Sequence, residues 1–180
     1  TFKTIADPDP AYHDLRFYET FGHYGFLMKA RAVTVRDTGA AISPFNSFML
    51  IQGLETLSVR MERHIKNAQA VAEFLNNHPK VDWVAYAGLP NSPYHALSQK
   101  YTPKGPGAVF TFSIKAENPR LAGKTFIESL HVFSHLANVG DVRSLVIHPA
   151  STTHQQLSDA ELEAGGVTPG MIRLSIGLET

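Results

Sequence analysis

The chain has 180 residues, with 16 basic and 16 acidic side chains, no net charge when histidine is neutral, and no cysteine. That excludes disulfides, thiolate zinc sites and a thiol nucleophile, and it offers none of the basic excess a nonspecific nucleic-acid binder needs. Hydrophobic residues make up 43%, a globular composition, but no apolar run approaches the ~20 residues required to cross a bilayer. The expectation is a cytoplasmic protein with no nucleic-acid and no membrane partner. The opening Thr1-Phe2-Lys3 lacks an initiator Met and any charged-then-apolar leader pattern, which fits a piece of a longer protein.

Residues 1–16 are rich in Pro, Asp and aromatics, with Asp7-Pro8-Asp9-Pro10. Each residue before a proline is pushed toward extended geometry, so this stretch reads as a loop lying on a partner surface. Gly25 to Thr38 reads as a helix stopped by Gly39. Ser43 is a good N-cap and Pro44 suits the first helical position. From there Leu50, Leu54, Leu57, Met61, Ile65, Ala68, Ala72 and Leu75 recur at spacings of three or four, up to His78-Pro79. The spacing predicts one helix of about 30 residues, a rod of ~45 Å, longer than a domain of this size needs. Beyond Pro79 the texture changes. Val81 to Ala85, Ala108 to Ile114, Leu145 to Ile147 and Met171 to Gly177 read as strands. Asn118-Pro119 opens one helix and Ser158 caps a short acidic one. Interleaved strands and helices predict an α+β layer, one sheet with helices on one face.

Nine histidines invite a metal hypothesis. His131 and His135 have i, i+4 spacing, with His148 and His154 nearby, but Val132 stands where a HExxH metalloprotease has its Glu. No metal site is assigned. No G-x-S-x-G elbow accompanies Ser151-Thr152-Thr153-His154, and Gly105-Pro106-Gly107 lacks the Lys-Ser/Thr of a phosphate loop. Arg173 differs: it lies between apolar Ile172 and Leu174 on an alternating strand, just before Ser175 and Gly177. An Arg on the polar face of a strand points into water, a partner or a cleft. A guanidinium held on a rigid strand is a natural bidentate receptor for a carboxylate.

Several ordered stretches then carry a resemblance. Gly39-x-x-x-Ser43-Pro44 is followed by Gly53-Leu54-Glu55-Thr56-Leu57-x-x-Arg60-x-x-Arg63-His64-x-x-Asn67-Ala68. His78-Pro79-x-Val81, Tyr86-x-Gly88-Leu89, Ser144-Leu145, His148-Pro149-Ala150-Ser151-x-Thr153-His154 and Ile172-Arg173-Leu174-Ser175-x-Gly177-Leu178-Glu179 come next. Together, and over nearly the whole chain, they resemble the cysteine and methionine metabolism family of pyridoxal-phosphate enzymes. The resemblance implies fold type I, the aspartate-aminotransferase-like fold. Residues 1–52 would be the end of the large cofactor-binding domain and the start of a long connecting helix. Residues 53–180 would be the rest of that helix and a small C-terminal α+β domain. Arg173 would grip the substrate α-carboxylate, and Ser144 would help place it. The family's cofactor Lys sits in a Ser-x-Thr-Lys stretch that this sequence lacks, as it lacks the ring-stacking aromatic, the Asp for the pyridine nitrogen and the phosphate cup. These residues are expected upstream, so no catalytic and no cofactor-binding residue is assigned here. Pyridoxal phosphate is expected in the full-length enzyme but not on this chain alone.

Within the family, Asn138-Val139-Gly140-Asp141-Val142-Arg143-Ser144-Leu145 departs from the Ser-Leu-Gly-Gly-x-Glu-Ser-Leu of cystathionine lyases and synthases. With Thr152-Thr153-His154, Asp7-Pro8-Asp9-Pro10-Ala11-Tyr12-His13 and Ser134-His135-Leu136-Ala137-Asn138, it looks like O-acetylhomoserine sulfhydrylases. Arg143 in place of a Glu makes the site more electropositive, which suits a second anion such as sulfide or acetate. The resemblance implies formation of L-homocysteine and acetate from O-acetyl-L-homoserine and sulfide, in methionine biosynthesis. It also implies a homo-oligomer, by family habit a tetramer, completed by the N-terminal part of the same protein. Two other readings stand beside it: a cystathionine or methionine γ-lyase, and a stand-alone binding module without catalysis.

Overall fold

Alternation in two phenylalanine-bearing and leucine-bearing strands builds the centre of the larger unit. A computed structural model describes residues 2–179 and divides the chain into two compact units, residues 1–54 and 55–180. Five strands form one sheet in the second unit: β1 (Val81–Ala85), β2 (Val109–Ile114), β3 (Ser134–His135), β4 (Leu145–Ile147) and β5 (Ile172–Ser175). Their order is β1-β2-β5-β4-β3, antiparallel except for the parallel β3–β4 pair.

Register places Phe112 between Val84 and Ile172, and Leu174 between Phe110 and Val146. Directly opposed residues share a face, so these side chains form one apolar surface. Helix α6 (Leu57–Asn76) and helix α8 (Pro119–Glu128) supply its cover, with Ala68, Ala72, Leu75 and Ile127 joining Phe110, Phe112, Val146, Ile172 and Leu174 in one buried cluster. The two alanines let α6 approach the sheet closely. Both helices therefore lie on the same face, as the α+β reading requires. Starts follow the local chemistry: Asn118 accepts the Leu121 N–H before Pro119, and Ser158 and Glu161 form a capping box for α9 (Asp159–Ala164). A further helix, α7 (His95–Tyr101), β3 and a 3₁₀ turn at Pro149–Ser151 are elements that periodicity did not predict.

The first unit contains α1 (Lys3–Ala6), α2 (Phe17–Phe21), α3 (Gly25–Lys29), α4 (Arg36–Thr38) and all but the last residue of α5 (Pro44–Glu55), with a π-helical stretch at Ala30–Val35. Gly39 ends this run in the left-handed region, at φ 65°, where glycine has no Cβ penalty. Residues 1–16 are not one loop: α1 and a 3₁₀ turn at Pro10–Tyr12 interrupt them. Asp9 explains this. Its carboxylate accepts the Ala11 N–H at 3.1 Å and pairs with Lys29 at 2.9 Å, while the Tyr12 hydroxyl donates to the Ala32 carbonyl. Phe17, 1% exposed, is the buried apolar side chain of this unit.

The expected unbroken rod is interrupted at Thr56, whose backbone (φ −103°, ψ 4°) separates α5 from α6. Gly53 and β-branched Thr56 are weak helix formers, and the Thr56 hydroxyl accepts from Arg60 Nε at 3.3 Å. Ser43 does cap α5, accepting the Asn46 N–H at 3.2 Å. The apolar recurrence is not buried throughout. On α6 the buried positions are His64, Ala68, Ala72 and Leu75. No residue of α5 is buried, and Phe45, Phe48, Leu50, Ile51 and Leu54 are exposed.

His148 is fully buried, and Gly123 of α8 lies so close that a Cβ there would come within 2.6 Å of its ring. A carbonyl only accepts, so His148 Nε2–H donates to Pro169 O at 2.8 Å, and Nδ1 accepts from the Ser151 hydroxyl at 2.8 Å. Both ring nitrogens are engaged in the neutral form. Burial lowers the His148 pKa from its ordinary 6.5, against the opposing Pro169 bond, and nearby Arg120 lowers it further. The unfolded chain then binds the extra proton first. This contribution to stability is complete above pH about 6.5 and is lost as pH falls below it toward the folded value. Thermal melts between pH 7.5 and 5 should show a declining midpoint, and His148→Gln should flatten part of that decline. An unchanged slope in the variant refutes the assignment.

Candidate functional site

Strand alternation puts Arg173 on the sheet face opposite the Phe110–Phe112 core, in register with Thr111 on one side and Ile147 on the other. Its backbone is therefore held by two neighbours. The guanidinium is partly exposed and makes one long hydrogen bond, Nη2 to the Asn138 carbonyl at 3.4 Å. Among the described residues no carboxylate lies within ion-pair distance of it. Of five guanidinium N–H donors, most are left for a ligand.

Ser144 stands immediately before β4, and Leu145 pairs with Ser175. Arg173 pairs with Ile147, so the two predicted site residues are offset by three positions along neighbouring strands. No hydrogen bond joins them directly. The segment between Asn138 and Ser144 connects their surroundings: Asn138 O meets Arg173, Gly140 N–H donates to Ser175 Oγ at 3.3 Å, and Val142 O accepts the Leu178 N–H at 2.8 Å. Arg143, expected to raise the local positive charge, is exposed, and its backbone N–H donates to Asp141 at 2.9 Å.

Ser144 is buried at 5% exposure, and its polar atoms are already engaged. Its N–H donates to Glu179 Oε1 at 2.5 Å, its hydroxyl donates to Glu179 Oε2 at 2.8 Å, and its Oγ accepts the Gly177 N–H at 2.9 Å. Gly177 has no room for a side chain, since a Cβ would come within 2.5 Å of the Arg143 and Ser144 backbone. Helix α6 anchors the same segment. His64, 2% exposed, donates from Nδ1 to Ile176 O at 2.6 Å, and Asn67 Nδ2 donates to Gly177 O at 3.0 Å and to Glu179 O at 2.8 Å. Desolvation opposes the Glu179 charge, yet the Ser144 hydrogen bonds and the nearby His64 together hold its carboxyl below the ordinary 4.5. The sequence signal for Glu179, His64 and Asn67 was present only as membership in the motifs around Arg63 and Gly177.

The other candidates separate. His131 and His135 are not on a helix; His135 is on β3. His148 serves the core, and His154 Nδ1 lies 2.8 Å from Thr153 Oγ1. Among the described residues no group of three His, Cys, Asp or Glu could hold a metal, and no helix is long and apolar enough to cross a membrane. An open cavity of about 690 Å³ beside Trp83, Arg120 and Thr168 involves neither Arg173 nor Ser144. Among the lysines, Lys29 is paired with Asp9, Lys124 with Glu128, and Lys115 donates to the Pro79 carbonyl. No Ser-x-Thr-Lys stretch, the cofactor-lysine setting that the resemblance implies, occurs in the sequence.

The family model of Cys/Met metabolism PLP-dependent enzymes matches residues 20–180. An O-acetyl-L-homoserine sulfhydrylase of Leptospira meyeri is 51% identical over 99% of this chain and 42% of its own length. O-acetyl-L-homoserine sulfhydrylase 1 of Thermus thermophilus is 49% identical over the same shares. A Campylobacter jejuni crystal structure, described as an O-acetylhomoserine (thiol)-lyase carrying N'-pyridoxyl-lysine-5'-monophosphate, superposes with a TM-score of 0.84 at 42% identity, over 99% of this chain and 42% of that one. The chain spans about two fifths of the length of these relatives. With the ordered motifs and the five-stranded sheet in place, the chain belongs to the Cys/Met metabolism family of PLP-dependent enzymes.

Proposed function

We propose that the chain is the C-terminal portion of an enzyme that forms L-homocysteine and acetate from O-acetyl-L-homoserine and sulfide. The observation that carries this is Arg173: a guanidinium on a doubly paired strand, without a carboxylate partner among the described residues. Its support is the identity of about half to relatives named O-acetyl-L-homoserine sulfhydrylase. In the net reaction the Cγ–O bond breaks with its electron pair leaving on acetate, and a Cγ–S bond forms from sulfide. Pyridoxal phosphate, when bound, supplies the electron sink; it is held by residues outside this chain. The chain's own contribution is orientation. Arg173 grips the α-carboxylate and fixes the amino acid's reactive carbons against the rest of the site. Ser144, whose donors face Glu179, shapes the wall beside it. The apolar surface of α5 is covered by the remaining part of the enzyme, because apolar side chains spread around a helix are buried only when protein surrounds it.

In the full-length enzyme Arg173→Ala should lower kcat/KM by roughly 10- to 100-fold, since a charge-assisted bond is worth ~1.5–3 kcal/mol and each ~1.4 kcal/mol is tenfold. Arg173→Lys should recover only part, because an ammonium cannot copy the bidentate fork. Equal activity in the alanine variant removes the role. The isolated chain should leave the visible spectrum of added pyridoxal phosphate unchanged, and it should self-associate through its exposed α5 surface. A shifted spectrum abolished by one lysine substitution, or a monodisperse monomer in light scattering, contradicts the corresponding statement.

A further inference from the structure

The Ser144 hydrogen bonds leave one question about the substrate-carboxylate site: what keeps the 138–144 segment in place beside Arg173. Among the described residues its two ends are tied differently. At the first end the Asn138 carbonyl meets Arg173 through one 3.4 Å bond, too long to position anything alone. At the other end Ser144 is held by four bonds of 2.5–2.9 Å, two of them to the Glu179 carboxylate, one from Gly177 N–H and one from Ser134 N–H. Glu179 is in turn fixed by its own backbone, since Asn67 of α6 takes the carbonyls of both Gly177 and Glu179 and His64 takes that of Ile176.

We infer that Glu179 is a positioning residue of the substrate-carboxylate site, acting through Ser144 and the 138–144 segment on the anion receptor at Arg173. This rests on the reading of Arg173 given above. The carboxylate's geometry is what does it. One oxygen takes the Ser144 N–H and the other takes the Ser144 O–H, so the serine can present neither donor to a bound substrate. Its one fixed acceptor bond, from Gly177, leaves its Oγ able only to accept. A substrate carboxylate only accepts as well. Ser144 therefore leaves carboxylate recognition to Arg173 while Glu179 holds it. An amide at position 179 keeps the shape but carries one acceptor and one donor group. With its oxygen kept on the Ser144 N–H, its NH₂ faces the Ser144 hydroxyl, which must then accept instead of donate; both charge-assisted bonds become neutral ones, which weakens the hold on the segment that borders Arg173.

The test uses the full-length holoenzyme with Glu179→Gln, Ser144→Ala and Arg173→Ala in parallel. Glu179→Gln should raise KM for the amino-acid substrate roughly tenfold, the loss of about one charge-assisted bond's worth of order, with KM for sulfide and kcat unchanged. Hydrogen–deuterium exchange should speed up in peptides covering 138–145, and peptides from α6 and β2 should keep wild-type protection. In a Ser144→Ala background the Glu179→Gln effect on KM should shrink, because part of its route is gone. Unchanged exchange at 138–145, or a fall confined to kcat, overturns the inference. So does a Glu179→Gln effect of full size in the Ser144→Ala background. A general loss of protection over the whole sheet also overturns it, marking Glu179 as a stability residue. If Arg173→Ala leaves the amino-acid KM at the wild-type value, the carboxylate-site reading fails first and the positioning role falls with it. If Arg173→Ala raises that KM and Glu179→Gln does not, only the positioning role fails.

Discussion

Strand β5 is the element on which the arrangement depends. Ile172 and Leu174 are buried at 0% and 3% exposure on one face, each worth about 1.5–3 kcal/mol relative to exposure. Ladders to β2 and β4 run along both edges. Moving the Arg173 backbone would mean breaking both ladders and lifting two core side chains. That stiffness matters because a long arginine loses about 2 kcal/mol of rotamer entropy on being fixed. A strand that already fixes the backbone leaves only the side chain to order in any contact the guanidinium makes.

The segment that follows β5 extends this rigidity by polar means. His64 and Asn67 are on α6, more than 100 residues earlier in sequence, and they satisfy the carbonyls of Ile176, Gly177 and Glu179 where no strand partner does. The buried His64 is explained by this bond, since a half-polar ring at 2% exposure needs a partner. Glu179 is itself largely open to water, so solvent screening limits what its bonds add to stability. Its effect is directional: a carboxylate has two oxygens in one plane and offers both to a single residue, which sets the rotamer of Ser144 and the path of the chain through it.

What was legible in the sequence was whatever has a local signature. The caps at Ser43, Asn118 and Ser158 each bond within three residues, and the Phe110–Phe112 and Ile172–Leu174 alternation announces both strands and the polar placement of Arg173. The break at Thr56 was not legible, because a one-residue interruption leaves the three-to-four spacing of apolar residues intact. Strand β3 has two residues, Ser134 and His135, and a pair carries no period. Periodicity through Met61 and Ile65 also drew the buried stripe one position away from His64, whose burial is decided by a carbonyl 112 residues distant. Glu179 and Ser144 are 35 residues apart, and no spacing rule connects them. Long-range polar contacts belong to the fold and are readable from sequence only as motif membership.

Two features on the surface of the residues described are left without full partners, in different ways. Helix α5 carries Asn46, Ser47, Gln52 and Glu55, but its apolar side chains are spread around it and none is buried, a pattern nearer to a helix enclosed by protein than to one lying on a core. Arg173 has a rigid base and one long bond, to the Asn138 carbonyl; Arg120, by contrast, is closed by Asp159 at 2.6 Å and by the Ala150 carbonyl. Neither feature helps these residues fold much: exposed apolar area opposes solubility, and a guanidinium with one 3.4 Å bond adds little. A sequence consistent everywhere else departs from local rules where something beyond the folded core is served. Under the proposed function, α5 gains apolar cover and Arg173 an anion whose carboxylate matches the fork.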